Sequence, residues 1–341
     1  MQRKDVPLTT KWAGNFGIPH DEFVIDSAAK SLEQLHAEGN RAFDAHGIAL
    51  FKNTGRTHPD DMAELARLVL KSEMRYEGWS NPRANIKEAA SNVYEVGAPL
   101  VASLPYHHEM AYIGESTTSL SFMSIKSPGP KGATYVSNSV LATDAILATE
   151  FGRKLKEHGV CYHRDLTDAR DFENQLEIGV YNHWQTSFGT SCPEEAERMA
   201  RKKGLHVSWD GTKMLTRYYQ RAFEFNEHTG RNLLYSSLAD DGHWFDEWPL
   251  VQHLEYSERP LRMTFGNGEP FSNAERQTFL SVYDEFGQAI DWEVGDVAII
   301  CNYRMAHGRP AIHLAEHEER QLGVLLGPMY TRFGEHPDKW H

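Results

Sequence analysis

The chain of 341 residues carries 35 Lys and Arg against 48 Asp and Glu, which gives a formal net charge of −13 at pH 7 with histidine neutral. Hydrophobic residues at 40% and charged residues at 24% are ordinary values for a globular protein, so a fibrous or wholly disordered chain is excluded. The acidic charge disfavours nucleic-acid binding as the main activity, because the protein would repel a phosphate backbone.

Signals for a membrane or an oxidising compartment are also missing from the sequence. No apolar run approaches the roughly 18 residues that a membrane helix needs, and no apolar stretch follows the positive charges of the first residues (MQRKDVPLTTKWAG). The cysteines Cys161, Cys192 and Cys301 are widely spaced and odd in number, which argues against a disulfide framework. We therefore expect a cytoplasmic protein that contacts no membrane.

The first half of the chain combines helical and strand patterns. Apolar residues near a helical period predict a helix over 27–46 that Ser27 would cap. A proline followed by two aspartates is typical of a helix start and predicts a second helix over 59–75. The other elements predicted in this half are strands at 48–53, 118–126 and 133–137 and a helix at 139–158.

The second half adds strands that are more strongly apolar. Ser272 and Glu275 have the spacing of a capping box and predict the start of a helix over 272–289. Because strands gather in the middle and at the end of the chain, we expect an α+β protein with a β core rather than regular strand–helix alternation. The remaining elements predicted in this half are a short charged helix at 194–203 and strands at 259–265, 295–303 and 320–327.

The chemistry of the chain centres on a histidine and a carboxylate that stand two residues apart in the string YHHEMAY. On an extended chain His107 and Glu109 would point to the same side, whereas His108 would point to the other. A further histidine, His307, follows the last strand but one. Two histidines and one carboxylate can hold Fe(II) on one face. His-x-Glu alone is a weak motif in a chain with 18 histidines, and a buried structural histidine pair would give the same pattern.

Five segments extend this motif over most of the chain, from about residue 45 to 327. Their order and spacing resemble the taurine dioxygenase/clavaminate synthase-like group of Fe(II)/2-oxoglutarate oxygenases, in its His-x-Glu variant. The segments are GIALFKNTG (47–55), YHHEMAY (106–112), SIKSPGPKGATYVSNS (124–139), WEVGDVAIICNYRMAHGRPA (292–311) and ERQLGVLLG (319–327).

The resemblance implies a fold and a domain organisation. It implies a double-stranded β-helix, or jelly roll, with flanking helices, in a single oxygenase domain over 1–341. The segment 160–258 would be a variable insert between core strands. This insert is rich in aromatic residues and histidine, which suits a lid over the substrate and suits equally a hydrophobic brace against the barrel.

The resemblance also implies cofactors and roles. His107, Glu109 and His307 would ligate Fe(II), with 2-oxoglutarate and O₂ as cosubstrates. Arg320 would pair with the distal carboxylate of 2-oxoglutarate, and Thr134 would hydrogen-bond the same group. A planar, always-charged guanidinium is well suited to such a clamp, although Arg320 without the family would read as a surface residue of a charged run.

Other candidates lie next to the motifs. Arg309 would help to hold the C1 carboxylate of 2-oxoglutarate or the substrate, and a structural salt bridge is the competing interpretation. Val324 occupies the position at which taurine dioxygenase has a sulfonate-binding arginine, so a sulfonate substrate is not expected. The substrate-pocket candidates, each of which packing or scaffolding would explain as well, are Tyr112, Asn138, Tyr303 and Arg304.

The implied activity is oxidation of an unactivated C–H bond, by hydroxylation or by desaturation or cyclisation. The implied substrate is a small amino-acid-like or natural-product intermediate of secondary metabolism, either free or bound to a carrier protein. One alternative is a metal-dependent jelly-roll enzyme that does not use 2-oxoglutarate, in which Arg320 has no role. The other is a non-catalytic jelly-roll binding protein, against which the intact ligand set argues. The sequence indicates neither the substrate nor the oligomeric state.

Overall fold

The structure is a computed structural model that describes residues 15–73, 84–90, 92–96, 100–171, 182–242, 246 and 252–332. None of the helices in these ranges is long and apolar enough to cross a membrane. The helices are α1 (His20–Phe23), α2 (Leu32–His46), α3 (Pro59–Arg67), α4 (Ser139–Leu147), α5 (Glu150–His158), α6 (Trp184–Phe188), α7 (Pro193–Lys202) and α8 (Asn273–Glu285). The strands are β1 (Val24–Asp26), β2 (Ile48–Lys52), β3 (Tyr94–Glu95), β4 (Leu104–His107), β5 (Glu115–Thr117), β6 (Ser119–Lys126), β7 (Thr134–Asn138), β8 (Val160–Leu166), β9 (His206–Asp210), β10 (Lys213–Gln220), β11 (Phe223–Asn226), β12 (Arg231–Leu234), β13 (Leu261–Phe265), β14 (Gly287–Ile290), β15 (Val297–Cys301), β16 (Met305–Arg309), β17 (Gln321–Leu326) and β18 (Met329–Thr331).

The larger sheet has the strand order β1-β2-β15-β6-β17-β3. β1 and β2 are parallel, and the other neighbours pair antiparallel. The central strand β15 (VAIIC) is buried along its whole length, as expected of a strand that is covered on both faces. Helices α2 and α3 cover one face, where their apolar residues form a cluster with Met123, Ile299 and Leu325.

A second, antiparallel sheet with the order β14-β7-β16-β4 covers the other face. The ring of Phe122 on β6 meets the ring of His307 on β16 edge-on, with 5.0 Å between centroids. Phe122 pairs with Ala298 and Val324 across its own sheet, so the three side chains share the face that looks toward the second sheet. The two sheets therefore pack face to face, in the mixed helix-and-sheet architecture that the sequence predicts.

The region 160–258 contributes most of a third sheet, of order β13-β8-β10-β9. Along its strand β10 every second residue is buried, as expected when one face of a sheet packs on the core. This part of the chain is thus regular structure rather than a long loop. Its residues 172–181, 243–245 and 247–251 lie outside the described ranges.

Two predicted helices of the first half have different bounds in the structure. The helix predicted over 27–46 begins at Leu32, because the capping residue is Ser31 rather than Ser27, in a capping box with Gln34. The helix predicted over 59–75 ends at Arg67, and residues 74–75 lie outside the described ranges.

Two other predicted helices are interrupted. The segment 139–158 forms α4 and α5, because Thr149 caps a new helix through the backbone N–H of Gly152. The helix predicted over 272–289 has the expected capping box at Ser272 and Glu275 but ends at Glu285. The chain then forms β14, which pairs with β7. In that pair, sheet hydrogen bonding prevails over the local helical pattern.

Candidate metal centre

Two histidines lie side by side on adjacent strands of the second sheet. His107 is the last residue of β4, and its register partner on the antiparallel strand β16 is His307. Register partners carry their side chains on the same face of a sheet, and the two imidazole rings lie 4.1 Å apart between centroids. The pairing joins residues that are 200 positions apart in the sequence.

A glycine makes this close approach feasible. The register between β4 and β16 shifts just after His307, and Gly308 occupies the shift. A Cβ atom at residue 308 would lie 2.7 Å from the carbonyl oxygen of Leu104 and 3.0 Å from the backbone nitrogen of Tyr106. Any larger residue would push the two strands apart, and with them the two histidines.

Glu109 reaches the histidines by a turn rather than by continuation of the strand. The sequence predicts His107 and Glu109 on one extended segment, but β4 ends at His107 and Glu109 lies in the following turn. The next residue, Met110, has a φ of 59°, an uncommon left-handed conformation for a residue other than glycine. The turn brings a Glu109 carboxylate oxygen to 3.8 Å from Nε2 of His307.

The three side chains together fit a divalent metal ion. One ligand atom from each of His107, Glu109 and His307 lies within 4.8 Å of the others, and all three residues are buried. Nδ1 of His107 is 2.9 Å from the carbonyl oxygen of Pro105, so it donates its hydrogen there and leaves the Nε2 lone pair for a metal. Two imidazoles and one carboxylate are the donor set of a facial Fe(II) site.

His108 is excluded from this cluster, as the sequence argument expects. It is fully buried and stacks on Tyr235 with 4.5 Å between ring centroids. Its Nδ1 accepts the backbone N–H of Ser236 at 3.0 Å, and its Nε2 lies 2.9 Å from the hydroxyl of Ser139. Burial lowers the pKa of His108 to about 3, so this histidine is a neutral structural residue.

Arg320 and Thr134 are also brought together. Thr134 opens β7 two residues before Val136, the register partner of His307, so its side chain shares the face of the histidines, about 7 Å along the strand. Nη2 of Arg320 donates to the Thr134 hydroxyl at 3.3 Å, and Nε donates to the carbonyl oxygen of Gly132 at 2.7 Å. Among the described residues no carboxylate pairs with Arg320, and burial lowers its pKa to about 10.

The other candidate arginines contact backbone carbonyls. Nη1 of Arg309 donates to the carbonyl oxygens of Leu100 and Ala102 at 3.1 and 2.7 Å. Nη1 of Arg304 donates to the carbonyl oxygen of Asp44 at 3.0 Å, at the end of α2. These contacts favour a scaffold role for both residues, and their ligand-binding roles remain predictions.

The other substrate-pocket candidates have packing partners. Asn138 caps α4 through its side-chain oxygen. The guanidinium carbon of Arg164 lies over the ring of Tyr112, 3.4 Å from the ring centroid. Tyr303 packs against Tyr330 with 5.1 Å between ring centroids. The structure thus gives each of them a scaffold contact, and their predicted roles remain predictions.

The sequence assigns no role to several residues of the site, although Trp292 and Asn302 lie within the motif segment 292–311. Trp292 donates its indole N–H to the Thr134 hydroxyl at 2.9 Å. Asn302, Ser116 and Tyr235 hydrogen-bond the backbone of Glu109. They come from distant parts of the chain, so only the tertiary structure reveals them.

Comparisons with known proteins place this chain in a family. The model of the "Taurine catabolism dioxygenase TauD, TfdA family" matches residues 4–326. A clavaminate synthase-like protein from Arabidopsis thaliana is 26% identical over 77% of each chain, and the dapdiamide synthesis protein DdaC from Enterobacter agglomerans is 21% identical over 94% of this chain and 95% of its own. The crystal structure of a taurine dioxygenase from Burkholderia xenovorans matches with a TM-score of 0.47 and 15% identity, covering 92% of this chain and 90% of that one.

Proposed function

The chain belongs to the TauD/TfdA family and is an Fe(II)/2-oxoglutarate-dependent dioxygenase, and from this premise we propose that it oxidises an unactivated C–H bond of a small amino-acid-like substrate. The observation that carries the use of 2-oxoglutarate is Arg320. Its guanidinium is sheltered and donates a hydrogen bond to Thr134, and it has no carboxylate partner among the described residues. A bound carboxylate would supply the missing charge.

We propose the jelly roll as the fold that holds the site. The two face-to-face sheets, with the histidine pair on the inner face of one and Phe122 on the other, support this assignment. In the same proposal, residues 1–341 form one oxygenase domain, and 160–258 is an insert that adds the third sheet to it.

Each proposed residue has a definite task. His107, Glu109 and His307 would hold Fe(II) as a set of two imidazoles and one carboxylate, a donor set that leaves coordination positions for a cosubstrate. Arg320 and Thr134 fix the distal carboxylate of 2-oxoglutarate. The hydroxyl of Thr134 accepts from Trp292 and Arg320, so its own hydrogen is directed to the ligand. When bound, Fe(II) with 2-oxoglutarate and O₂ supplies the oxidising power for the C–H bond, with succinate and CO₂ as coproducts.

The substrate class rests on two supports. Val324, on the sheet face that looks toward the histidines, is 1% exposed and uncharged, so this position offers no cation to a sulfonate. One relative over nearly the whole chain is a protein of dapdiamide synthesis. The first disfavours a sulfonate such as taurine, and the second favours an intermediate of a biosynthetic pathway. We propose that this intermediate is amino-acid-derived, either free or attached to a carrier protein.

The decisive experiment is anaerobic titration of the Fe(II) protein with 2-oxoglutarate, followed by the weak visible charge-transfer band of the chelate. We expect the band in the wild type and its loss in His307→Ala. The matched control is His313→Ala, which removes an exposed histidine six residues away and should leave the band unchanged.

The outcomes separate the alternatives. Fe(II) binding without a band would exclude the use of 2-oxoglutarate and favour a different metal enzyme. An undiminished band in His307→Ala would show that the metal lies elsewhere. A band that depends on His307 allows the substrate search to proceed, with succinate release as the assay for candidate amino-acid derivatives.

A further inference from the structure

Asn302 directly follows β15, and its side chain is fully buried. The side-chain amide forms hydrogen bonds with both the backbone N–H and the carbonyl oxygen of Glu109. Its Oδ1 accepts the backbone N–H of Glu109 at 2.7 Å, and its Nδ2 donates to the carbonyl oxygen of Glu109 at 3.0 Å. Nδ2 also donates to the carbonyl oxygen of Thr117 at 2.9 Å. The reverse orientation of the amide would set an oxygen against two carbonyl oxygens, so these contacts fix it.

The backbone that Asn302 holds is strained. Met110, the residue after Glu109, has the left-handed φ of 59°, and such a conformation persists only where the surroundings impose it. On the far side of the turn, Arg332 donates to the carbonyl oxygen of Ala111 at 3.0 Å. Glu109 therefore lies between two sets of contacts that determine where its carboxylate points.

A hydroxyl network completes this grip. Tyr235 donates from its hydroxyl to the carbonyl oxygen of Glu109 at 3.2 Å, and Nδ2 of Asn302 lies 2.8 Å from the same hydroxyl. Ser116 donates to the Glu109 carbonyl at 2.8 Å.

We propose that Asn302 is a positioning residue that sets the metal affinity of the site by fixing the backbone of Glu109. This role rests on the proposed function, because it requires Glu109 to be a ligand. Groups that orient a metal ligand typically change metal affinity by about 10- to 100-fold when removed. Asn302 acts through the main chain of the ligand rather than through its carboxylate.

The test is the affinity of the full-length protein for Zn(II), measured by competition with a chromophoric chelator. Asn302→Ala should bind Zn(II) about 10- to 100-fold more weakly than the wild type. Asn302→Asp should be at least as weak, although it keeps the shape and the acceptor for the Glu109 N–H, because its second oxygen opposes the carbonyl of Glu109.

Asn226→Ala is the matched control for a general loss of stability. Asn226 is also buried, and its side-chain oxygen accepts the N–H of Thr229 in the hairpin between β11 and β12. The substitution removes a comparable structural contact in a different sheet, so it should lower the melting temperature without changing Zn(II) affinity. Equal losses of affinity in both variants would overturn the proposal.

A double-mutant cycle with Glu109→Ala distinguishes positioning from loosening of the whole site. When the carboxylate is absent, Asn302→Ala should cause no further loss of Zn(II) affinity. The same loss in both backgrounds, or wild-type affinity of Asn302→Ala, would overturn the proposal. If Glu109→Ala itself binds Zn(II) as tightly as the wild type, the proposed metal role of Glu109 fails first.

A milder substitution serves if Asn302→Ala does not fold. Tyr235→Phe removes only the hydroxyl that contacts Asn302 and the carbonyl of Glu109. The loss of one such hydrogen bond should weaken Zn(II) binding by about fivefold. Unchanged affinity in this folded variant would contradict the network of contacts on which the proposal depends.

Discussion

Arg320 and Arg332 are two sheltered guanidinium groups with opposite surroundings. Arg332, just after β18, pairs with Glu224 and donates to backbone carbonyls of the turn that follows the metal motif. Burial alone would lower the pKa of Arg332, but Glu224 and the surrounding tyrosines raise it well above its usual value. Arg320, just before β17, has no such carboxylate among the described residues, and burial lowers its pKa to about 10.

The presence or absence of a carboxylate partner distinguishes a structural guanidinium from one that can bind a ligand. A guanidinium that is removed from water needs a negative partner to offset its lost hydration. Arg332 has that partner in the chain, so its charge is a fixed part of the fold. Arg320 has no such partner among the described residues, and a carboxylate of a bound ligand would offset its lost hydration.

Arg332→Gln should destabilise the fold. Removal of one member of a buried ion pair leaves the other charge uncompensated, at a cost of about 3–5 kcal/mol. Chemical denaturation should show the loss in the free energy of unfolding. The double variant Arg332→Gln/Glu224→Gln should recover part of it, because the unpaired carboxylate is then gone. Equal stability of the single and the double variant would contradict the assigned pair.

Arg320→Gln should spare the fold and weaken 2-oxoglutarate binding by about 10- to 100-fold, because hydrogen bonds to a charged group are lost. In the wild type with Mn(II), 2-oxoglutarate at a hundred times its Kd should add about 2.7 kcal/mol of stability. The variant should show much less of this at the same concentration. The charge-matched control is Lys131→Gln, which also removes one positive charge. Lys131 is exposed, precedes Gly132 in the sequence and pairs with Glu318. Equal ligand stabilisation in all three proteins would refute the clamp.

Thr134→Val should have a smaller effect on the same ligand. The variant keeps the shape of the side chain but removes the hydroxyl that contacts Arg320 and Trp292. We expect about fivefold weaker 2-oxoglutarate binding, as for one hydrogen bond, with Fe(II) affinity unchanged. Parallel titrations with metal and with cosubstrate would check this. A drop in metal affinity of the same size would assign Thr134 to the scaffold of the metal site instead.

The pH dependence of 2-oxoglutarate binding should be the smallest effect. The guanidinium of Arg320 remains protonated below its pKa of about 10, so affinity should change by less than about twofold between pH 7 and 9 and decline only as the pH approaches that value. Titration of the charge-transfer band at several pH values measures this. A steep fall below pH 8 would assign the clamp to a group with a lower pKa.

Local signals predicted the elements better than their ends. The capping box at Ser272 and Glu275 is present as expected, because caps depend on a few neighbouring residues. The end of that helix is set instead by the pairing of Gly287–Ile290 with β7. A partner that lies about 150 residues away leaves no trace in the local pattern, so the helix was predicted too long.

The candidate site divides in the same way. His107, Glu109 and His307 follow from residue types and the family resemblance, and the structure brings them together. The turn that delivers Glu109, with its left-handed Met110, could not be predicted, because an extended chain gives the same His-x-Glu spacing. For Arg304 the sequence leaves a pocket role and a scaffold role open, and its bond to the carbonyl oxygen of Asp44 at the end of α2 is a contact of the scaffold kind.

The pairing of β4 with β16 also has a consequence for the biosynthesis of the enzyme. A nascent chain of 109 to 306 residues contains His107 and Glu109 but not His307. Arg332, which donates to a carbonyl oxygen of the turn after Glu109, is made later still. The ribosome must therefore have reached residue 307 before the three proposed ligands can hold a metal together. A complete metal centre consequently cannot guide the folding of the strands that are made before β16.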